Sequence, residues 1–232
     1  MSANVESLFY VSNEKNGRFV PWHGLGTPVE DAPDSKKAIE LAGLDWKVVQ
    51  HPVKDADTDE VIPGFLHNVR DTDNAHLGFV TNYYKVVQND EAFDFTDSLI
   101  GTGDVKYETA GSLFGGKKIW LLARMPVKKL LDDDVDPYIV FTNSHDGTGA
   151  IRVAMTPIRV VCNNTLNLAL DGASRSWSAR HMGDMQSKLD DARSTMKLAD
   201  DYMTSLAVDA ERLASTKVTK SDVEKMVEAA ED

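Results

Sequence analysis

The sequence predicts an α+β fold: a curved, mainly antiparallel sheet with helices packed on one face, and a long C-terminal helix. Three observations carry this. Strand-like stretches recur in pairs about turn residues between positions 65 and 155. Few helical patterns interrupt them. Beyond position 183 the apolar period changes from two to three and a half.

The chain opens with a short strand, Leu8–Val11, and a turn at Asn16-Gly17. Pro21-Trp22-His23-Gly24-Leu25-Gly26-Thr27-Pro28 holds too much proline and glycine for helix interior and reads as an ordered loop. Asp34 or Ser35 caps a helix through Leu41-Ala42, and Gly43 ends it. Trp46–Val53 alternates as a half-buried strand. Phe65–Arg70 and Leu77–Thr81 form a hairpin about Asp71-Thr72-Asp73-Asn74, followed by a short strand, Tyr84–Gln88. Asn89 or Asp90 caps a helix, Glu91–Ile100. Gly115-Gly116 joins Lys106–Ser112 to Lys117–Arg124 as a hairpin, and His145–Gly149 joins Tyr138–Asn143 to Ala150–Met155. Arg159–Cys162 is a last short strand, and Asn163 or Asn164 caps a helix, Thr165–Leu170.

Met185, Leu189, Ala192, Met196, Ala199, Met203, Leu206, Ala210 and Leu213 then follow one another at alternating steps of four and three. That is a heptad seam on a helix over 183–214, about 45 Å long. The 185–213 seam either packs within its own chain or joins copies into a homo-oligomer. Ser221-Asp222-Val223-Glu224 opens a final short helix over 222–231, whose stop at Asp232 suggests a chain cut short. The expected organisation is a sheet-based domain over 1–175 and a helical extension over 183–232.

Apolar residues make up 42% and charged residues 27% of the 232, which is globular composition. One cysteine, Cys162, excludes an intrachain disulfide; with no membrane-length apolar run and no signal-peptide pattern, this points to the cytosol. The net charge is −12, from 37 acidic against 25 basic residues, so any nucleic acid must be held by a local patch.

Few motifs carry chemistry. No histidine pair at i,i+4, no His-Glu-x-x-His and no paired cysteines offer a metal site, and no Walker loop or dinucleotide fingerprint implies a cofactor. Asp55–Glu60 begins like a calcium loop, but Glu60 stands where glycine is needed and Leu66 where glutamate is needed. Asp132-Asp133-Asp134 reads as a solvated loop. Cys162, ahead of a helix, pairs on paper with His145 and Asp146 as a nucleophile and its base, or is a small buried residue. Trp22, His23 and Thr27 form a candidate ligand loop, in which His23 either touches a ligand or ties the loop together. The remaining set is basic and aromatic: Lys85, Lys117, Lys118, Arg124, Lys128, Lys129, Arg152 and Arg159, with Tyr83, Tyr84 and Trp120. Lys85, Lys117, Lys118, Arg124, Arg152, Arg159 and Tyr84 are the candidate nucleic-acid contacts, because single-strand binders combine cations with stacking rings.

Three segments also carry a resemblance: Trp22-His23-Gly24-Leu25-Gly26-Thr27, Gly78–Asn89 and Arg159–Leu166. Together they resemble the phage/plasmid-related family of unknown function known for its Leu-Gly-Thr motif. The resemblance implies a mobile genetic element, often near replication and recombination genes, and implies no catalytic residue. The leading expectation is a non-catalytic, homo-oligomeric single-stranded-DNA-binding or annealing protein. The alternatives are a sequestering binder of a small nucleotide or host defence protein, and a cysteine- or histidine-dependent enzyme.

Overall fold

All three hairpins foreseen from their turn residues form in the computed structural model, which describes residues 3–12, 20–100, 105–125, 128–130, 133–135, 138–173 and 175–196. The strands are β1 (Val5–Val11), β2 (Thr27–Val29), β3 (Val48–Lys54), β4 (Val61–Arg70), β5 (His76–Thr81), β6 (Tyr107–Leu113), β7 (Lys118–Arg124), β8 (Lys128–Leu130), β9 (Asp133–Val135), β10 (Tyr138–Ser144), β11 (Ile151–Thr156) and β12 (Arg175–Ala179). The helices are α1 (Ser35–Leu41), α2 (Asn89–Ile100), α3 (Asn163–Asp171) and α4, residues 185–196. Seven strands form the main sheet in the order β12-β11-β10-β7-β6-β1-β2, antiparallel except for the parallel pair β1 and β2. β3-β4-β5 make a second, antiparallel sheet, and β8-β9 a small ribbon.

Helices cover both faces of the main sheet, which corrects the expectation of one. β6 and β10 are buried at every residue, so each presents apolar side chains in both directions and each face needs a cover. Phe9, Ile119, Leu121, Ile139, Phe141 and Val153 meet α1 through Ala38 and Ala42, α2 through Phe93 and Phe95, and α4 through Ala192 and Met196. Leu8, Tyr10, Trp120, Leu122, Val140 and Ala154 meet Val160, Val161 and, from α3, Leu166 and Ala169.

Local chemistry explains the helix ends. Asp34 caps α1, its carboxylate accepting from Lys37 N at 2.9 Å, and Gly43 (φ +62°) turns the chain out. α2 starts at Asn89 itself, so Asn89 is not its cap. Its side chain turns inward and donates to the Leu44 carbonyl at 3.0 Å, while Glu91 accepts from Gln88 N at 2.7 Å. α3 likewise starts at Asn163, with Cys162 at the capping position; Thr165 Oγ1 accepts from Cys162 N at 3.1 Å.

Two expected strands are extended segments outside any ladder. Tyr84–Gln88 satisfies its backbone elsewhere: Lys85 N donates to His181 O at 2.8 Å, and Asn143 Nδ2 donates to Val87 O at 2.9 Å. Arg159–Cys162 crosses the α3-side face, with Val160 O taken by Thr109 Oγ1 and Val161 N donating to Thr165 Oγ1 at 2.9 Å. β2, β8, β9 and β12 are strands the sequence reading lacks; Thr27 and Pro28 of the expected loop belong to β2, and Asp133 and Asp134 to β9.

The first seam residues of α4 face their own chain. Ala192 and Met196 are buried, and Met185 and Leu189 pack against the same core. The seam residues from Ala199 to Leu213, the helix over 222–231 and the Asn16-Gly17 turn lie outside the described residues.

The second sheet docks its inner face on the β10–β11 loop. Asn68 Nδ2 donates to His145 O at 2.7 Å. Beside it, a Cβ on Gly78 would stand 2.5 Å from the Asp146 Cα. Backbone cannot yield as a side-chain tip can, so Gly78→Ala is expected to cost ~1–3 kcal/mol or more. A urea midpoint unchanged from wild type would show that the docking tolerates separation.

Candidate functional site

A cleft of about 500 Å³ opens between the end of β5 (Phe79–Thr81), the β10–β11 loop (Gly147–Ala150) and the Arg180–Met182 segment after β12, with Tyr84 also in its lining. The loop is held by Asp146, whose Oδ1 accepts from Ser144 Oγ at 2.6 Å, Thr148 N at 2.9 Å and Thr148 Oγ1 at 2.7 Å. Burial pushes this carboxyl up, but the three donors and Lys118 outweigh it and hold it below its ordinary pKa. Gly147 takes φ +79°, which a side chain would resist.

Behind the cleft lies a buried polar network. Tyr84 donates its hydroxyl to Ser144 O at 2.7 Å and stacks on His181, with centroids 4.5 Å apart and planes at 16°. His181 Nδ1 sits 2.9 Å from Lys85 O; a carbonyl only accepts, so Nδ1 carries the proton. Burial, with Lys188 assisting, lowers the His181 pKa against the pull of that carbonyl. His145 is fully buried, and its Nε2 lies 3.0 Å from Asn89 Oδ1. Burial first, and His181 second, pull the His145 pKa down to about 3, so the ring is neutral in the native protein.

Arg180, in the cleft lining, is exposed and makes no ion pair among the described residues; the same holds for exposed Lys85 and half-buried Lys117 and Lys118, which lie outside the lining. Lys188 Nζ donates to the Arg180 and Met182 carbonyls and so pins the segment that presents Arg180. Phe79, in the lining, is 61% exposed; Tyr83, outside it, is 66% exposed.

The fold gathers only part of the candidate nucleic-acid set. Lys117 and Lys118 lie at the β6–β7 turn, and Lys118 is opposite Ser144, close to the β10–β11 loop. Lys85 is tied to His181. Tyr84 belongs to the buried network and Trp120 to the core, where its indole donates to Thr109 Oγ1 at 3.2 Å. Arg124 lies at the far end of β7, about 20 Å of strand away. There it and Arg159 clamp the carboxylate of Glu108, which is 1% exposed; Arg159 also donates to Val11 O. Arg152 is exposed on β11, opposite Thr142 and Ser178. Lys128 and Lys129 lie in β8.

The Trp22–Thr27 loop is elsewhere, over the α3-side face. His23 Nε2 donates to Val161 O at 3.1 Å, and its Nδ1 accepts from Leu25 N at 3.0 Å, so both ring nitrogens tie the loop. Trp22 is exposed, and Thr27 pairs with Phe9 as the first residue of β2. Cys162 is buried, its Sγ 3.5 Å from Thr165 Oγ1. Burial raises its pKa, but hydrogen bonds from Thr165 and Trp22 outweigh it and lower the thiol. His145 packs with Trp46 on the opposite face of the sheet, so no Cys-His-Asp arrangement assembles.

Arg180, His181, Phe79 and Thr148 are the cleft residues that sequence reasoning missed. The glycines around Thr148 were its one local signal. Arg180 and His181 follow an edge strand that the pattern does not announce.

Fold and cleft together define an α+β protein with a glycine-walled cleft that carries an arginine, Arg180, at one end of its main sheet. The chain belongs to the DUF932 family, a domain of unknown function, which matches residues 76–232. That span takes in every cleft residue and leaves out the Trp22–Thr27 loop. No curated protein and no solved structure matches the chain. Among the described residues no helix is long and apolar enough to cross a membrane.

Proposed function

We propose that the chain is a non-catalytic single-stranded-DNA-binding protein of phage or plasmid recombination or replication, gripping a nucleotide of the strand in the Arg180 cleft. The supporting observation is Arg180, without an ion pair among the described residues, at a cleft of about 500 Å³ that the exposed Phe79 helps to line and Gly147-Thr148-Gly149 wall. Guanidinium suits phosphate, an aromatic face suits a base, and a glycine-rich wall lets the ligand approach backbone N–H groups. The mobile-element context rests on the resemblance of the Leu-Gly-Thr segments. With net charge −12, the grip is local and few phosphates are neutralised. Because Met185–Met196 cover the chain's own core, a homo-oligomer must use other surface.

A second reading, sequestration of a free nucleotide, is favoured by the limited extent of the cleft and the scatter of the other cations. Fluorescence anisotropy with a labelled single-stranded oligonucleotide across a salt series separates the two. The first reading expects binding with a shallow salt slope, weakened about tenfold or more by Arg180→Glu, which is ~1.4 kcal/mol. Lys117→Glu with Lys118→Glu weakens it less. Absence of strand binding at low salt, with nucleoside monophosphates still bound in calorimetry, moves the assignment to the second reading. Absence of both removes the cleft from consideration.

A further inference from the structure

The outer face of the second sheet carries three of the six histidines of the chain. Register puts them there. His51 on β3 lies directly opposite His67 on β4, and His67 opposite Phe79 on β5. His76, at the start of β5, reaches the same place past an irregularity in the ladder between Asn68 and Val69. Directly opposed residues have Cβ atoms about 4.5–5.5 Å apart, so such side chains share one patch. His67 Nε2 and His76 Nδ1 stand 2.7 Å apart, with ring centroids at 4.9 Å.

Two imidazole nitrogens on one ion at about 2.0–2.1 Å, with an angle between right and tetrahedral, lie roughly 2.9–3.4 Å from each other. The His67–His76 pair therefore needs to open by only a few tenths of an ångström. His76 and His51 are exposed and His67 half-buried, so the rings turn without disturbing the core. No three His, Cys, Asp or Glu side chains among the described residues surround one point as they stand. The arrangement is thus a two-nitrogen clamp, with His51 the nearest further imidazole.

We propose that His67 and His76 chelate a divalent late-transition-metal ion such as Zn²⁺, Ni²⁺ or Cu²⁺, with its remaining positions open to solvent. Imidazole is a ligand type these ions share, whereas Mg²⁺ and Ca²⁺ prefer oxygen. A ligating histidine must be neutral, and burial, His76 and His51 all lower the His67 pKa. The site is separate from the cleft, although Phe79 borders both: its ring lies 4.9 Å from that of His67.

The test uses the full chain without a histidine tag. Calorimetric titration with NiCl₂ or ZnCl₂ at neutral pH is expected to show one equivalent bound. His67→Asn or His76→Asn is expected to weaken it about tenfold or more, since one nitrogen alone does not chelate. Circular dichroism checks that both surface variants fold as wild type does. Electron paramagnetic resonance of the Cu²⁺ form counts nitrogens; two or three in the equatorial plane support the clamp. The assignment is overturned by absence of binding at millimolar metal, by binding that survives both substitutions, or by a single coordinated nitrogen.

Discussion

Acidifying the protein from neutral pH toward pH 4 is expected to remove stability steeply, and His145 is expected to carry the largest single share. Its folded pKa, about 3, lies below its ordinary 6.5. Above the ordinary value both folded and unfolded chains hold a neutral ring, and this contribution is fully present. As pH falls between the two values, the unfolded chain takes up a proton that the native interior refuses. The loss amounts to as much as about 1.4 kcal/mol per pH unit, levelling near the folded pKa. His181 and His67 are also lowered, so they act in the same direction in the upper part of the window. Urea midpoints at successive pH values measure the slope, with His145→Gln as the comparison. Glutamine keeps an amide donor for Asn89 and does not titrate, so its curve should be flatter. Parallel curves for the two proteins would remove His145 from the account.

Truncating Glu108 is expected to be the most damaging single substitution in the main sheet. The carboxylate is 1% exposed and its two oxygens face different guanidiniums, Arg124 and Arg159. Removing one member of a buried charge set leaves the others desolvated and uncompensated, a cost of about 3–5 kcal/mol. The two arginines should differ. Arg159 has 17% of its side chain exposed and also holds Val11 O, whereas Arg124 has 37% exposed and can turn toward water. Arg159→Met should therefore cost more than Arg124→Met. Glu108→Leu combined with Arg159→Met should cost much less than the sum of the single changes, because the pair leaves together. Strict additivity in that double-mutant cycle would mean that Glu108 and Arg159 are not energetically coupled.

Where a segment's structure is decided by its own residues, the sequence was readable. α1 was announced by Asp34 and Gly43, and the β6–β7 hairpin by Gly115-Gly116, which take φ +70° and +83°. Tyr84–Gln88 and Arg159–Cys162 were misread for a non-local reason. An extended segment whose backbone is satisfied by Asn143, His181 or Thr109 has the same alternation as a strand, and only its partners differ. β12 offers one large apolar residue, Trp177, in an edge position where packing asks for little more. The same limit applied to the site. Basic residues were legible as a type, but not that Glu108 would absorb two of them, nor that a strand crossing would bring Arg180 beside Gly147. The histidines at 51, 67 and 76 share no sequence period; register alone joins them.

The two borders of the seven-stranded sheet are unequal. On one side β2 is three residues long with Pro28 at its centre, which removes a donor and blunts the border against another chain. On the other, β12 presents five residues without proline. Strand addition from a second molecule, whether a fibril seed or a designed β-peptide inhibitor, is thus directed to β12. Its end at Ala179 leads straight into Arg180, so an added strand would abut the cleft.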